Sequence, residues 1–256
     1  MCIRDSSELS VLEQAQEAGF HTVSSIEQLQ QAPTDTRLLG LFAPSTLPVR
    51  LQGESGRLAE EPETSFLHSI HPYLGEVTQP EPMRCEPNPG FEGIPSLRQM
   101  TETALAHLSQ DNERGFFLMI ESASVDKQAH ERKPCGSIGE MEQLDEALAS
   151  ALAFAESNPN TLVLVTADHS QAAQLIPEVS LFAAYPIPIY TPGKLARIIT
   201  PEGSIMRVNY ATTNFMMEEH TGAAVPLYGN EQARGIVAPY VRQPELFGIM
   251  RDYLGL

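Results

Sequence analysis

The sequence predicts an α/β protein built on a mostly parallel sheet, and three observations carry that expectation. Amphipathic helical stretches alternate with short apolar runs, Gly, Pro and polar caps punctuate them, and 256 residues suffice for one sizeable core. The first helix spans Ser7–Gly19, with Leu9, Leu12, Ala15 and Ala18 on one face and Gly19 as its stop. Phe20–Val23 reads as a strand, Ser24–Ala32 as a helix capped by Ser24 or Ser25, and Arg37–Ala43 as a buried strand. The stretch 47–95 is rich in Pro, Glu and Gly and reads as surface loop. Alternation resumes with a helix over Ser96–Gln110, a buried strand over Gly115–Ile120, a helix over Leu144–Ser157 and a buried strand over Thr161–Ala167. Ser204–Tyr210 and Ala223–Gly229 read as strands, and a helix closes the chain. No repeat or second composition regime appears, so residues 7–256 are expected to form one domain.

Composition narrows the function. Sixteen basic against 33 acidic residues give a net charge of −17, which repels nucleic acid over most of the surface. A small phosphate ester stays compatible, because bound divalent cations reverse the potential locally. No apolar run approaches the roughly 18–20 residues of a membrane span. Of three cysteines, Cys2 lies in the opening MCIRDS, residues 1–6, which read as a non-native scar. Cys85 and Cys135 could then form a disulfide or remain two buried thiols.

Polar residues just past apolar strands mark clefts in open α/β sheets. Here GFFLMI runs into ESASVDKQAH and TLVLVTA into DHS. Asp126 and His130 are four apart, so on a helical turn they face one way and can share a metal. Carboxylate oxygen and imidazole nitrogen are ordinary zinc ligands, and His220 as a third would leave a fourth position open, the catalytic pattern. Asp168 and His169 can turn toward one ion past the strand end, and Glu121 is a hard oxygen ligand suited to magnesium. Lys127 can bring positive charge to phosphate. Each also has a plainer reading as a helix cap, a satisfied histidine or a solvated surface charge. His21, His68, His71 and His107 lack carboxylate partners in the pattern and are given no role.

Together these pieces resemble the alkaline phosphatase family, whose members carry E-[GS]-A-S-x-D-x-x-x-H, a helix, a strand ending T-A-D-H, and a later E-H-T-G. The matching segments are Glu121–His130, Thr166–His169 and Glu219–Gly222, and the resemblance covers about 12–256, weakest over 53–83 and 178–203. It implies a three-layer sandwich around the parallel sheet. It further implies one zinc on Asp126, His130 and His220, a second on Asp168 and His169, magnesium on Glu121, and Lys127 near phosphate. It also implies a Cys85–Cys135 disulfide, phosphate monoester substrates, a periplasmic or secreted setting, a homodimeric parent and hydrolysis through a phosphoserine.

Nothing in the chain matches the family's nucleophilic serine segment; Asp5-Ser6 falls in the opening scar. The resemblance therefore implies a chain incomplete at its N-terminus, without a catalytic nucleophile and inactive alone. Gln171 stands where many bacterial members have a histidine, which predicts a lost hydrogen bond behind the metal ligands, and Ser122 replaces a common glycine. Two other readings compete: a related phosphodiesterase or sulfatase, and a secreted metal-binding domain without catalysis.

Overall fold

A computed structural model describes residues 10–256; the opening hexapeptide, Asp5-Ser6 and Leu9 lie outside them. The chain begins with α1 (Val11–Glu17), β1 (Phe20–Val23), α2 (Ile26–Gln30) and β2 (Arg37–Gly40). Capping sets both helix starts: the Ser10 hydroxyl accepts from the Glu13 amide while Glu13 reaches back, and Ser25 accepts from the Gln28 amide. β1 and β2 pair in parallel, Phe20 opposite Arg37, as a βαβ unit does.

The loop-rich stretch holds β3 (Leu51–Gly53), β4 (Glu63–Thr64), α3 (Phe66–Ile70), β5 (Val77–Thr78) and β6 (Cys85–Pro87). β3 pairs with β6 and β4 with β5, both antiparallel. Next come α4 (Leu97–Ser109), α5 (Ser124–His130) and the long α6 (Pro134–Ser157). Ser96 and Gln99 form a capping box at α4, and Pro134 opens α6, where its missing N–H costs nothing. α6 lies close on β3 because Gly139 faces it: a Cβ there would sit 2.8 Å from the Leu51 nitrogen. β7 (Leu164–Val165), β8 (Gln174–Ile176), β9 (Lys194–Ile199), β10 (Ile205–Tyr210), β11 (Tyr228–Gly229) and α7 (Gln243–Tyr253) complete the order.

The expected mostly parallel sheet is not what these residues form. Among the described residues β1–β2 is the one parallel strand pair, and the other pairings are antiparallel: β8–β10–β9, β7–β11, β3–β6 and β4–β5. Gly115–Ile120 is no hydrogen-bonded strand, and Phe117 and Met119 are exposed. The run 161–167 pairs over two residues only, and β2 is half-buried rather than fully buried. An apolar run states that a segment gains by burial; it does not supply the neighbour that buries it. The strand Lys194–Ile199 escaped the sequence pattern, yet each of its residues pairs with β10 and Leu195, Ala196 and Ile198 are buried.

The core sits where β9 and β10 meet α5 and the start of α6. Ala59, Met83, Ala129, Cys135, Ala172, Ala196, Ile198, Val208 and Tyr210 are buried together. Burial pushes the Tyr210 phenol well above its ordinary pKa, and the Glu218 charge adds to the shift. Met83 and Glu60 extend the sheet's edge by backbone bonds to β9: Met83 to Arg197 and Ile199, Glu60 to Leu195. Cys85 and Cys135 are joined in a disulfide, which ties this loop to the head of α6. No helix among the described residues is long and apolar enough to cross a membrane.

Candidate metal centre

Helix α5 carries Asp126 and His130 one turn apart on the same face. Its first turn is held at Val125, whose amide donates to the Ser122 carbonyl and whose carbonyl accepts from the Ser137 hydroxyl. Asp168 and His169 follow β7 after Thr166 and Ala167. The segment behind them is stitched to the one bearing His220, since the Thr221 amide donates to the Ser170 carbonyl over 3.0 Å.

Three donor atoms converge. Asp126 Oδ1 lies 3.4 Å from His130 Nε2 and 3.2 Å from His220 Nε2, and the two imidazole nitrogens are 2.8 Å apart. Ligands about 2.0–2.2 Å from one tetrahedral ion stand roughly 3.3–3.6 Å apart, so this triangle fits a zinc ion with slight expansion. The His130 ring is set for the task. Its Nδ1 faces the Glu218 carbonyl at 2.6 Å, an atom that can only accept, so Nδ1 carries the proton and Nε2 presents its lone pair.

His169 belongs to the same cluster. Its ring stacks on His220 with centroids 3.6 Å apart, and its Nε2 lies 3.9 Å from Asp126 Oδ1 and 3.5 Å from Asp168 Oδ2. Asp126, His169 and His220 make a second, looser grouping with donor atoms within 4.8 Å. The pairs assigned to two ions in the sequence thus abut, with Asp126 facing both. Asp168 is largely exposed and anchored through its backbone: its carbonyl accepts from the Gln243 side chain at the head of α7. Glu121 is exposed at the entrance to α5 and joins no group of three close donors among the described residues. Lys127 lines an open cleft of about 400 Å³ together with Arg57, His130 and Lys133.

Gln171 departs from expectation. Its side-chain nitrogen donates to Asp126 Oδ1, while its oxygen accepts from the Ala172 amide at 3.0 Å. The bond behind the carboxylate is supplied by an amide rather than lost. Two groups escaped the sequence reading altogether. Arg132 and Glu218 form a buried ion pair, Nε to Oε1 at 2.6 Å, beside His130. Burial raises the Glu218 carboxyl's pKa, but hydrogen bonds from Thr212 and Arg132 outweigh it and hold the group below the usual carboxylate value. The available signal was positional, two residues beyond His130 and two before His220, and charged types normally read as surface.

The alkaline phosphatase family model matches residues 5–225. The chain is 39% identical over 251 residues to an alkaline phosphatase of Escherichia fergusonii and 38% identical to that of Escherichia coli K12, covering 95% of this chain and 47% of each. It is 37% identical over 260 residues to a streptomycin-6-phosphate phosphatase of Streptomyces griseus, covering 96% of this chain and 51% of that protein. The chain therefore spans about half the length of the curated relatives it matches. In fold it resembles the alkaline phosphatase of the Antarctic bacterium TAB5, with TM-score 0.63 and 17% identity over 98% of this chain and 56% of that one. The family model over residues 5–225, with 38–39% identity to two curated relatives across 95% of the chain, places it in the alkaline phosphatase family.

Proposed function

We propose that the chain provides the principal metal-holding segments of a phosphomonoesterase centre. The observation that carries this is the convergence of Asp126, His130 and His220 at 2.8–3.4 Å, with the His130 tautomer fixed for metal binding. In this reading those three hold one zinc, Asp168 and His169 hold a second, and Glu121 contributes to magnesium. Bound zinc supplies charge that lowers the pKa of an attacking hydroxyl and stabilises the departing oxygen of a phosphoryl transfer. The chain's own residues do the rest. Gln171 fixes one lone pair of Asp126, the Glu218 carbonyl orients His130, and Lys127, next to Asp126 on α5, supplies a positive charge to meet an ester's phosphate. No residue here is assigned the nucleophile; the phosphoserine step, the dimer and a periplasmic or secreted setting follow from the family alone.

Loading the chain with zinc and magnesium and titrating inorganic phosphate by calorimetry tests the reading. Metal-dependent phosphate binding is expected, with sulfate competing weakly and 4-nitrophenyl phosphate turned over no faster than by the metals alone. Preference for sulfate or a phosphate diester would favour the sulfatase or phosphodiesterase reading, and absence of metal-dependent phosphate binding the non-catalytic one. Turnover at the rate of a complete phosphatase would contradict the lack of an assigned nucleophile.

A further inference from the structure

His220 is delivered to the cluster by an exposed loop with almost nothing apolar to hold it down. Phe215 is 68% exposed and Met216 79%, and between Ala211 and His220 the one buried side chain is that of Glu218, at 2%. Hydrophobic burial therefore does not fix this loop. Polar bonds do, and they converge on Arg132. Arg132 Nε donates to Glu218 Oε1 at 2.6 Å, Nη1 to the Met216 carbonyl at 3.0 Å, and Nη2 to the carbonyls of Phe215 and Thr213 at 2.8 and 3.1 Å. The other carboxylate oxygen of Glu218 accepts from the backbone and hydroxyl of Thr212. Its backbone is clasped to His130 in both directions, by amide to carbonyl at 2.9 Å and by carbonyl to ring Nδ1 at 2.6 Å.

The backbone at Arg132 points the same way. Lys133 N donates to the Gln128 carbonyl and Arg132 N to that of Ala129, the pattern that ends a helix on a left-handed residue. That position ordinarily takes glycine, yet Arg132 holds φ at 58°. A charged side chain is kept where the backbone disfavours one, and it is fully enclosed by the His220 loop.

We infer that Arg132 and Glu218 are positioning residues: a buried ion pair that clamps the 212–218 loop to the end of α5 and so sets where His130 and His220 stand as metal ligands. The inference rests on the zinc reading proposed above, and two readouts separate the two. The test variant is the double Arg132→Gly, Glu218→Met, which leaves no unpaired buried charge and gives the left-handed position its preferred residue. The conservative Arg132→Lys keeps the charge but not the fork of donors. Zinc affinity is measured against a chromophoric chelator, and amide hydrogen exchange over 212–221 is followed without metal.

The double variant is expected to melt within a few degrees of wild type, bind zinc about 10–100-fold more weakly and exchange faster over 212–221, with Arg132→Lys intermediate. Zinc affinity within twofold of wild type in a folded double variant overturns the inference, as does unchanged exchange in that loop. Should the double variant not fold, the same two thresholds apply to Arg132→Lys. If wild type binds no zinc, the metal reading itself fails, and the exchange result alone decides whether the pair clamps the loop.

Discussion

Opening the Cys85–Cys135 disulfide should cost the chain about 4 kcal/mol of stability. The bridge closes a span of 50 residues, and a loop of that size loses roughly 4 kcal/mol of unfolded-state entropy in the chain-entropy treatment. The folded state changes little on reduction. Cys135 stays buried beside Met83 and Ala129, and the loop keeps its backbone bonds to β9 and to the Arg132 carbonyl. The loss therefore falls almost wholly on the unfolded chain. Against a typical domain stability of about 5–15 kcal/mol it is a large fraction. Urea unfolding followed by far-ultraviolet circular dichroism, with and without a phosphine reductant, measures it, the chain having no tryptophan to report. A midpoint shift equivalent to about 3–5 kcal/mol is expected. A loss below about 1 kcal/mol would mean that residual structure already closes this loop in the unfolded state.

Three further outcomes follow. Gly139→Ala should lose about 1 kcal/mol in the same assay, because the clash with Leu51 outweighs the gain in helix propensity, whereas Gly248→Ala, with open space at its Cβ, should gain up to about 1 kcal/mol. The Glu146 carboxyl is held below its usual pKa by hydrogen bonds from Arg50, against the opposing effect of burial. Its contribution, at most about 1 kcal/mol for so exposed a pair, is full above the unfolded pKa of about 4.3 and lost as pH falls through the lower folded value. The stability gap between wild type and Glu146→Gln should accordingly close on acidification; a gap independent of pH would contradict the ion pair. Lys127→Ala should weaken phosphate binding to the metal-loaded chain roughly fivefold, about 1 kcal/mol, and leave zinc affinity unchanged. Calorimetry of phosphate and zinc checks both halves.

Helices were the most legible part of the sequence because local chemistry fixes them: Ser25 and Ser96 cap as their positions suggest, whereas Ser10, inside the helix expected from Ser7, is the extended N-cap of a helix that starts at Val11. The start of α6 was not legible. It begins ten residues before Leu144, in PCGSIGEMEQ, where small residues are buried by close approach to α5 at Gly136 and to β3 at Gly139 and show no apolar stripe. Lys194–Ile199 hid for a related reason: charged Lys194 and Arg197 interrupt the run, while Leu195, Ala196 and Ile198 fill the core. The parallel sheet was over-read because 115–120 and 161–167 are apolar enough for buried strands, a property that says nothing of partners. At the site, Asp126 and His130 were visible through their i, i+4 spacing. His220 lies 90 residues beyond His130, and only a motif could connect them. Arg132 and Glu218 were invisible because charge in a sequence signals solvent until a partner is placed beside it.

The most direct measurement is the zinc stoichiometry and affinity of the chain, by chelator competition, beside His220→Ala and His107→Ala. If Asp126, His130 and His220 form one site, wild type binds a tight zinc ion. His220→Ala should then lose that affinity by more than the ten- to hundredfold of an outer-sphere change, while His107→Ala, remote from the cluster, changes nothing. Tight binding that survives His220→Ala would contradict the site.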